Sequence, residues 1–451
     1  MTAGEPPDTP GTRREETPAT RREETPATRR DETGAARREE TTTTPRDEPL
    51  AANRDFRVLL GSQGVSALGD AVSFTALPLL VLALTGSGLA MGIVGALQTL
   101  PDLVFGMVAG ALADRSDRKR MMFLADLGRA VLTASIPISV FLNGPTMVVI
   151  LIVAAPMSML RALFLAGYTS SVPALVGRSQ IARANSYFEA IYSVGYIVGP
   201  AIAGVLSSTI GPGPTLAIDA VSFALSGLAL AFVRRDLRAP VDRPRASLVS
   251  EIREGIDFVV GHPMLRTLIA FWGLVAISTA PLVSALAVHV TRDLGQEDAI
   301  LGLILTAYGV GTVVGSLLTS RAGRRPVAPI LLGGTFVTGC CLVVVALVDQ
   351  VPVLLAVALA SGVAQSMVLV TYITVRTAYS PDALLGRIGS TARTISLGLQ
   401  PIGLLAGGAL IDLTNGSTTI AVMGIGLVGL SLVFAPVRAL RTATLQPRAF
   451  G

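Results

Sequence analysis

Seven ionisable residues stand inside long apolar runs of this chain: Asp70, Asp102, Asp126, Arg129, Arg161, Glu189 and Asp219. On insertion scales a charge at the centre of a membrane-spanning helix costs about 2.5–3.5 kcal/mol, so such groups mark ion pathways and proton sites. A carboxylate there can be reversibly protonated, because a low dielectric disfavours its charged form. Asp70 is the candidate proton carrier, mid-run with Ser66, Ser73 and Thr75 nearby. The alternative is a hydrogen bond from Asp70 to a neighbouring helix. Glu189 is a second acid for proton coupling, near a gate. Arg161 is a third candidate for proton coupling, the alternative being a cytoplasm-facing side chain that snorkels. Asp126 and Arg129 are one turn apart, so they pair with each other or support the adjacent basic turn. Asp219, near the start of its run, reads as a helix-packing residue. All seven lie in the first half of the chain, and the second half is nearly free of mid-run charge. That asymmetry predicts proton handling in the first half and apolar contacts from both.

The elements that must hold these groups follow from composition. Of 451 residues, 51% are hydrophobic and only 15% charged, against roughly a quarter charged in a soluble domain. Apolar runs are predicted near 56–84, 88–112, 121–142, 146–171, 184–209 and 214–233, then 265–290, 299–319, 327–348, 352–375, 391–412 and 418–437. About 20 apolar residues cross a bilayer as a helix. The fold class is therefore an all-α membrane protein with twelve transmembrane helices in two pseudo-symmetric six-helix bundles. The predicted division is a tail at 1–54, bundles at 55–233 and 265–440, a linker at 234–264 and a second tail at 441–451.

Loop charges choose the side. Arg115, Arg118, Lys119 and Arg120 follow the second run; Arg178 and Arg183 follow the fourth; Arg234, Arg235, Arg238, Arg243, Arg245 and Arg253 fill the linker; Arg321, Arg324, Arg325 and Arg387 come later. The alternate loops are nearly bare, Arg292 excepted. Cytoplasmic loops carry the excess of Lys and Arg, which places both termini and the linker in the cytoplasm. Within the linker, residues 248–260 have apolar positions at helical spacing and predict an amphipathic interfacial helix. Before the first run, the octad Arg13-Arg-Glu-Glu-Thr-Pro-Ala-Thr20 repeats and then decays. Its balanced charge and lack of an apolar face predict a disordered tail.

The net charge of +5 does not form a nucleic-acid stripe, since the basic residues alternate by loop. Two adjacent cysteines, Cys340 and Cys341, and two separated histidines give neither a disulfide framework nor a metal site. No cofactor is expected, and no enzyme signature such as H-E-x-x-H or G-x-S-x-G is present. The lone lysine among many Arg, Ala and Gly points to a GC-rich bacterial genome, hence an inner membrane.

Two segments carry a family resemblance. The turn Gly110-Ala-Leu-Ala-Asp114-Arg115-Ser-Asp117-Arg118-Lys119-Arg120 is similar to motif A of the major facilitator superfamily, with a weaker echo at Ser316–Arg325. Asp117 departs from it, since glycine is usual there, and predicts a less tight turn. Gly195-Tyr-Ile-Val-Gly199-Pro200-Ala-Ile-Ala-Gly204 resembles motif C, which the superfamily's exporters carry. Its small residues permit close helix approach, and Pro200 permits a bend. The segment around Pro401 and Gly407 corresponds to it in the second half, and the pair suits a hinge between the halves. Local text near 67–87 and 254–266 resembles the macrolide-efflux and enterobactin-exporter-like branch.

The resemblance implies that Asp114 latches against the end of helix 11, with the motif arginines holding it. It also implies a proton antiporter exporting amphipathic small molecules: a drug, a macrolide-like compound or a siderophore. Tyr187, Tyr192, Tyr196, Phe271, Trp272, Tyr308 and Tyr372 are candidate cavity aromatics. The expected partners are that small molecule, protons and the lipid bilayer, with the protein acting as a monomer. A nutrient importer of the same fold and a non-transporting sensor are the competing readings.

Overall fold

The computed structural model describes residues 49–113, 115–235, 237, 248–321, 327–381 and 384–441. The octad repeats, Asp114, most of the central connector, Arg324, Arg325 and the last ten residues lie outside the described residues. Twelve helices among those described are long and apolar enough to cross a bilayer. Spans 1 to 6 are Arg54–Thr85, Gly88–Ala113, Arg118–Phe141, Thr146–Val176, Ile181–Ile210 and Pro212–Ala231. Spans 7 to 12 are Pro263–Asp293, Asp298–Ser320, Val327–Leu347, Val351–Ala378, Leu385–Leu413 and Gly416–Phe434. Each corresponds to one apolar run predicted from sequence.

Local chemistry sets the helix ends. Asn53 Oδ1 accepts a hydrogen bond from Phe56 N at the start of span 1 (3.0 Å), and Gly86 ends that span with a left-handed φ of 70°. Asp117 Oδ1 accepts from Arg120 N (3.1 Å) and so caps span 3. The residue that departs from the motif thus closes the turn, satisfying a backbone donor that glycine would leave open. Asn415 caps span 12 in the same way. Span 7 is not continuous: its first helix, Pro263–Thr279, ends before Pro281, a second covers Leu282–Val288, and a wide turn follows at His289–Asp293.

Packing shows the duplication. Span 1 packs on spans 5 and 6, span 2 on span 4, and span 3 on span 6; span 7 packs on spans 11 and 12, span 8 on span 10, and span 9 on span 12. The halves meet where span 2 lies along span 11 and span 5 along span 8. Large apolar side chains such as Phe141, Leu347 and Leu413 remain exposed on the protein. A bilayer covers them, since lipid is as apolar as they are.

The bundle has a basic face, with the arginine-rich turns, and a neutral face. Near the neutral face one apolar core runs across both halves, joining Leu79, Val81 and Met91 to Leu301, Leu305 and Ile411. Toward the basic face the core divides. Phe56, Leu59, Met122 and Leu175 cluster within the first half, while Val259, Leu265, Ile269, Ile388 and Ala392 cluster within the second. The linker helix Leu248–Gly261 belongs to the second cluster. Its Gly255 lies against span 11, and Glu254 pairs with Arg387.

Candidate functional site

Spans 1, 3 and 6 pack together, and their polar residues meet between them. Arg129 on span 3 donates to Asp70 Oδ1 on span 1 (2.7 Å) and approaches Asp126 Oδ1 one turn before it (3.4 Å). Its guanidinium lies 3.7 Å from the centre of the Phe223 ring on span 6, a cation–π contact. Asp219, also on span 6, accepts from the Ser73 hydroxyl of span 1 (2.5 Å), and Ser222 Oγ lies 3.3 Å from its other oxygen. Gly69 makes this possible, because a Cβ there would collide with the Ser222 hydroxyl and crowd Asp219.

Asp126, Arg129 and Asp219 retain 0%, 3% and 2% of their exposure. The side chain of Asp70 retains 45%. Of the three carboxylates, Asp70 and Asp126 contact the arginine. Two atoms in the centre, Asp126 Oδ2 and Arg129 Nε, are buried without a hydrogen-bond partner. Breaking a buried ion pair by removing one member costs about 3–5 kcal/mol, so the centre is a strong constraint on how these spans pack.

The structure places each of these sequence candidates. Asp70 is half-exposed and bonded to a neighbouring helix through Arg129, the contact that the sequence leaves open as its alternative. Asp126 and Arg129 do pair, but they reach mid-span instead of bracing the basic turn: at about 1.5 Å per residue, Arg129 lies some 16 Å up span 3. Asp219 does serve helix packing, through the hydrogen bond it accepts from Ser73 of span 1. Spacing along one helix cannot show this, because the four side chains come from three helices and meet only in the bundle.

Arg161 on span 4 and Glu189 on span 5 are exposed, like Asp70. All three lie close enough to Tyr196 to act on its hydroxyl electrostatically. Tyr192, also on span 5, donates to Gln63 Oε1 of span 1 (2.8 Å). Charges converging from spans 1, 4 and 5 would not be stable against lipid, so this wall borders water-accessible space. In the second half Trp272 stacks on Tyr372 (4.7 Å), with Arg376 over the Tyr372 ring (5.3 Å). Phe271 instead packs in the core against Phe434. The second half does hold charge within a span: Arg393 is exposed in span 11.

The motif C glycines divide between two jobs. Gly195 and Gly199 face Ala67 and Ala71 of span 1, within their own half. Pro200 and Gly204 face Gly302 of span 8, across the seam. Gly407 lies against Pro281 of span 7, within its own half, and Pro401 is buried. The second seam is also made by glycines: Gly408, the last residue of the span 11 segment that the sequence assigns to the interface, lies against Gly88, and Gly92 lies against the Leu404 backbone.

At the neutral face this seam is bolted by charge. Asp412, at the end of span 11, accepts from Ser87 Oγ (2.6 Å), Gly88 N and Leu89 N (3.1 Å) at the start of span 2. Arg292 donates to Gly86 O (2.6 Å). Both residues sit where an apolar run meets a loop, so the sequence shows only ordinary loop charge. At the basic face the motif residues hold their own half. Arg118 donates to Ser170 O (2.9 Å), and Lys119 donates to Ala231 O (3.1 Å) and Val233 O (2.5 Å). Arg115 and Arg120 are exposed, and Gly110 has open space where a Cβ would stand. Asp114 and its expected latch lie outside the described residues.

The chain matches the transmembrane secretion effector family over residues 48–449. It is 31% identical to the multidrug efflux pump Tap of Mycolicibacterium fortuitum over 382 residues, covering 82% of this chain and 92% of that one. It is 24% identical to macrolide efflux protein A of Streptococcus pyogenes, covering 87% and 98%. Among solved structures a point mutant of the nucleoside transporter NupG superposes with a TM-score of 0.71 at 12% identity, covering 84% of this chain and 98% of that one, a likeness of fold.

Proposed function

The chain belongs to the transmembrane secretion effector family of the major facilitator superfamily, and from that premise we propose that it exports amphipathic small molecules by proton antiport. The relatives named for multidrug and macrolide efflux support the direction and the cargo class. A drug or macrolide-like compound fits both names, and a siderophore-like amphiphile is a further candidate. The arginine-rich loops support a bacterial inner-membrane setting with both termini in the cytoplasm.

The observation that carries the proton-coupled reading is the centre of three carboxylates and one arginine. A net negative charge buried mid-bundle is unstable unless a carboxyl group is protonated. Asp70 opens that centre to the wall shared with Arg161 and Glu189, where cargo would sit. The cycle is alternating access by rocking of the two halves, in a monomer. With the core joined at the neutral face and divided at the basic face, the arrangement corresponds to a cavity facing the cytoplasm. The seam contacts of Pro200, Gly204, Gly88 and Gly408 serve as the fulcrum.

The test is uptake of ethidium into inverted membrane vesicles energised by a pH gradient. Wild-type protein should accumulate it, and collapse of the gradient should release it. Asp70→Asn should abolish accumulation. Undiminished uphill transport by that variant removes Asp70 from the coupling site.

A further inference from the structure

The ion-pair contacts of the centre leave one acid without a cation. Asp70 and Asp126 both contact Arg129, at 2.7 Å and 3.4 Å. Among the described residues Asp219 has no ion-pair partner; it is held by the hydroxyl groups of Ser73 and Ser222. The charged groups facing it are Asp70 from span 1 and Arg129 from span 3, and Arg129 in turn contacts Asp126. Beside it lies a cavity of about 40 Å³, lined by Ser73, Gln98, Thr133 and Asp219 among apolar side chains. That is room for one or a few water molecules with polar partners. The cavity's other walls, Leu77, Ile136, Ile150 and Leu216, lie on the neutral-face side of Asp219. Asp70 is not among the residues lining this cavity, and its side chain is 45% exposed.

Resting on the antiport reading above, we propose that Asp219 carries the exchanged proton and that Arg129 is a movable counter-ion, passed from Asp70 to the buried acids when a cationic cargo pairs with Asp70. Before cargo arrives the centre holds Asp70 and Asp126 as carboxylates, Arg129 as the cation and Asp219 as the neutral acid. When a cationic amphiphile pairs with Asp70, Arg129 is released to pair with Asp126 and Asp219. The Asp219 O–H bond breaks, its electron pair stays on the carboxylate, and the proton leaves to water. One positive charge enters and one departs, so the net charge of the centre is the same before and after. This conservation lets a buried site exchange ligands without a new desolvation cost. The unpartnered Arg129 Nε and Asp126 Oδ2 are the spare hydrogen-bonding capacity that the exchanged arrangement takes up. In the reverse step a proton enters from the neutral face through the small cavity and displaces Arg129 back to Asp70, expelling the cargo.

The experiment is proton release on binding, read with a pH-sensitive dye in weakly buffered detergent solution of the full chain, with ethidium or tetraphenylphosphonium as probe. Wild type should release about one proton per cation bound. Asp219→Asn should still bind the cation but release none, and should equilibrate the probe across a vesicle without accumulating it. Ser73→Ala keeps the acid but loses its hydrogen bond, so release should persist with its pH midpoint shifted by about half to one unit. Proton release by Asp219→Asn equal to wild type overturns the assignment, as does an unshifted midpoint in Ser73→Ala. A wild type that binds cations without releasing protons at any pH defeats the antiport reading itself. A wild type that exports neutral amphiphiles by antiport but binds neither cation defeats only the Asp70 exchange.

Discussion

Asp412→Ala should unlock the neutral face. In the structure this carboxylate takes three hydrogen bonds from the first residues of span 2: Ser87 Oγ at 2.6 Å, Gly88 N, and Leu89 N at 3.1 Å. It therefore caps a helix of the opposite half. Replacing a capping acid by alanine costs about 0.5–2 kcal/mol. The group is exposed to solvent, so no further ion-pair energy is added. This energy is available only while spans 2 and 11 touch at that end, so it counts wholly toward the neutral-closed arrangement. Losing about 0.5–2 kcal/mol changes an equilibrium roughly 2–30-fold. Spin labels at Leu142 and Leu347, exposed at the neutral ends of spans 3 and 9, would report the separation of the halves by pulsed electron resonance. Asp412→Ala should enlarge the longer-distance population by that factor, and Asp412→Asn, which keeps an acceptor oxygen, by less. A distance distribution in Asp412→Ala identical to wild type would show that the cap does not bias the two arrangements.

Other outcomes follow from the same contacts. Gly408→Val places a branched side chain against the Gly88 backbone, where a Cβ would already lie 2.5 Å from the carbonyl oxygen; it should abolish ethidium transport while the protein remains folded by size-exclusion chromatography. Gly69→Ala should separate span 1 from span 6 and cost about 1–3 kcal/mol, seen as a lower thermal midpoint. Arg129→Met should destabilise more, by about 3–5 kcal/mol, because it strands buried carboxylates, and adding Asp126→Asn should restore part of the loss. Asp117→Ala should cost about 1 kcal/mol, while Asp117→Gly, the residue usual in the motif, should cost only a few tenths.

The twelve spans and their pairing into repeated halves were legible because lipid demands continuous apolar runs and loops carry the charge. The segments resembling motifs A and C were legible as text. Their contacts were less so: Gly195 and Gly199 look like seam residues but face span 1, while Gly88 looks like a loop residue but forms the seam with Gly408. The difference lies in helix rotation, which mostly apolar sequence does not encode; the hydrophobic pattern of a helix wetted by lipid on one side and protein on the other is nearly uniform. The charged centre was half-legible. Each member stands out as an acid or arginine in an apolar run, yet Asp70, Arg129 and Asp219 are separated by 59 and 90 residues and only the packing of three helices brings them together. Asp412 and His289 were hidden for the opposite reason. An acid beside Thr414-Asn-Gly, or a histidine near Arg292, resembles any loop polar group until its partners are known; His289 proves to be buried, its ring nitrogens beside Val345 O and Asp293.

Where the two halves bear on each other, the surfaces are largely main chain: Gly88 on Gly408, Gly302 on the Pro200 carbonyl, Gly92 on Leu404. A bearing made of peptide groups has no side chains to tailor, and it stands apart from the wall around Asp70, Arg161 and Tyr196. Substitutions that retune which compound fits can therefore accumulate on that wall while the machinery of motion stays as it was, so one chassis can serve many chemical passengers.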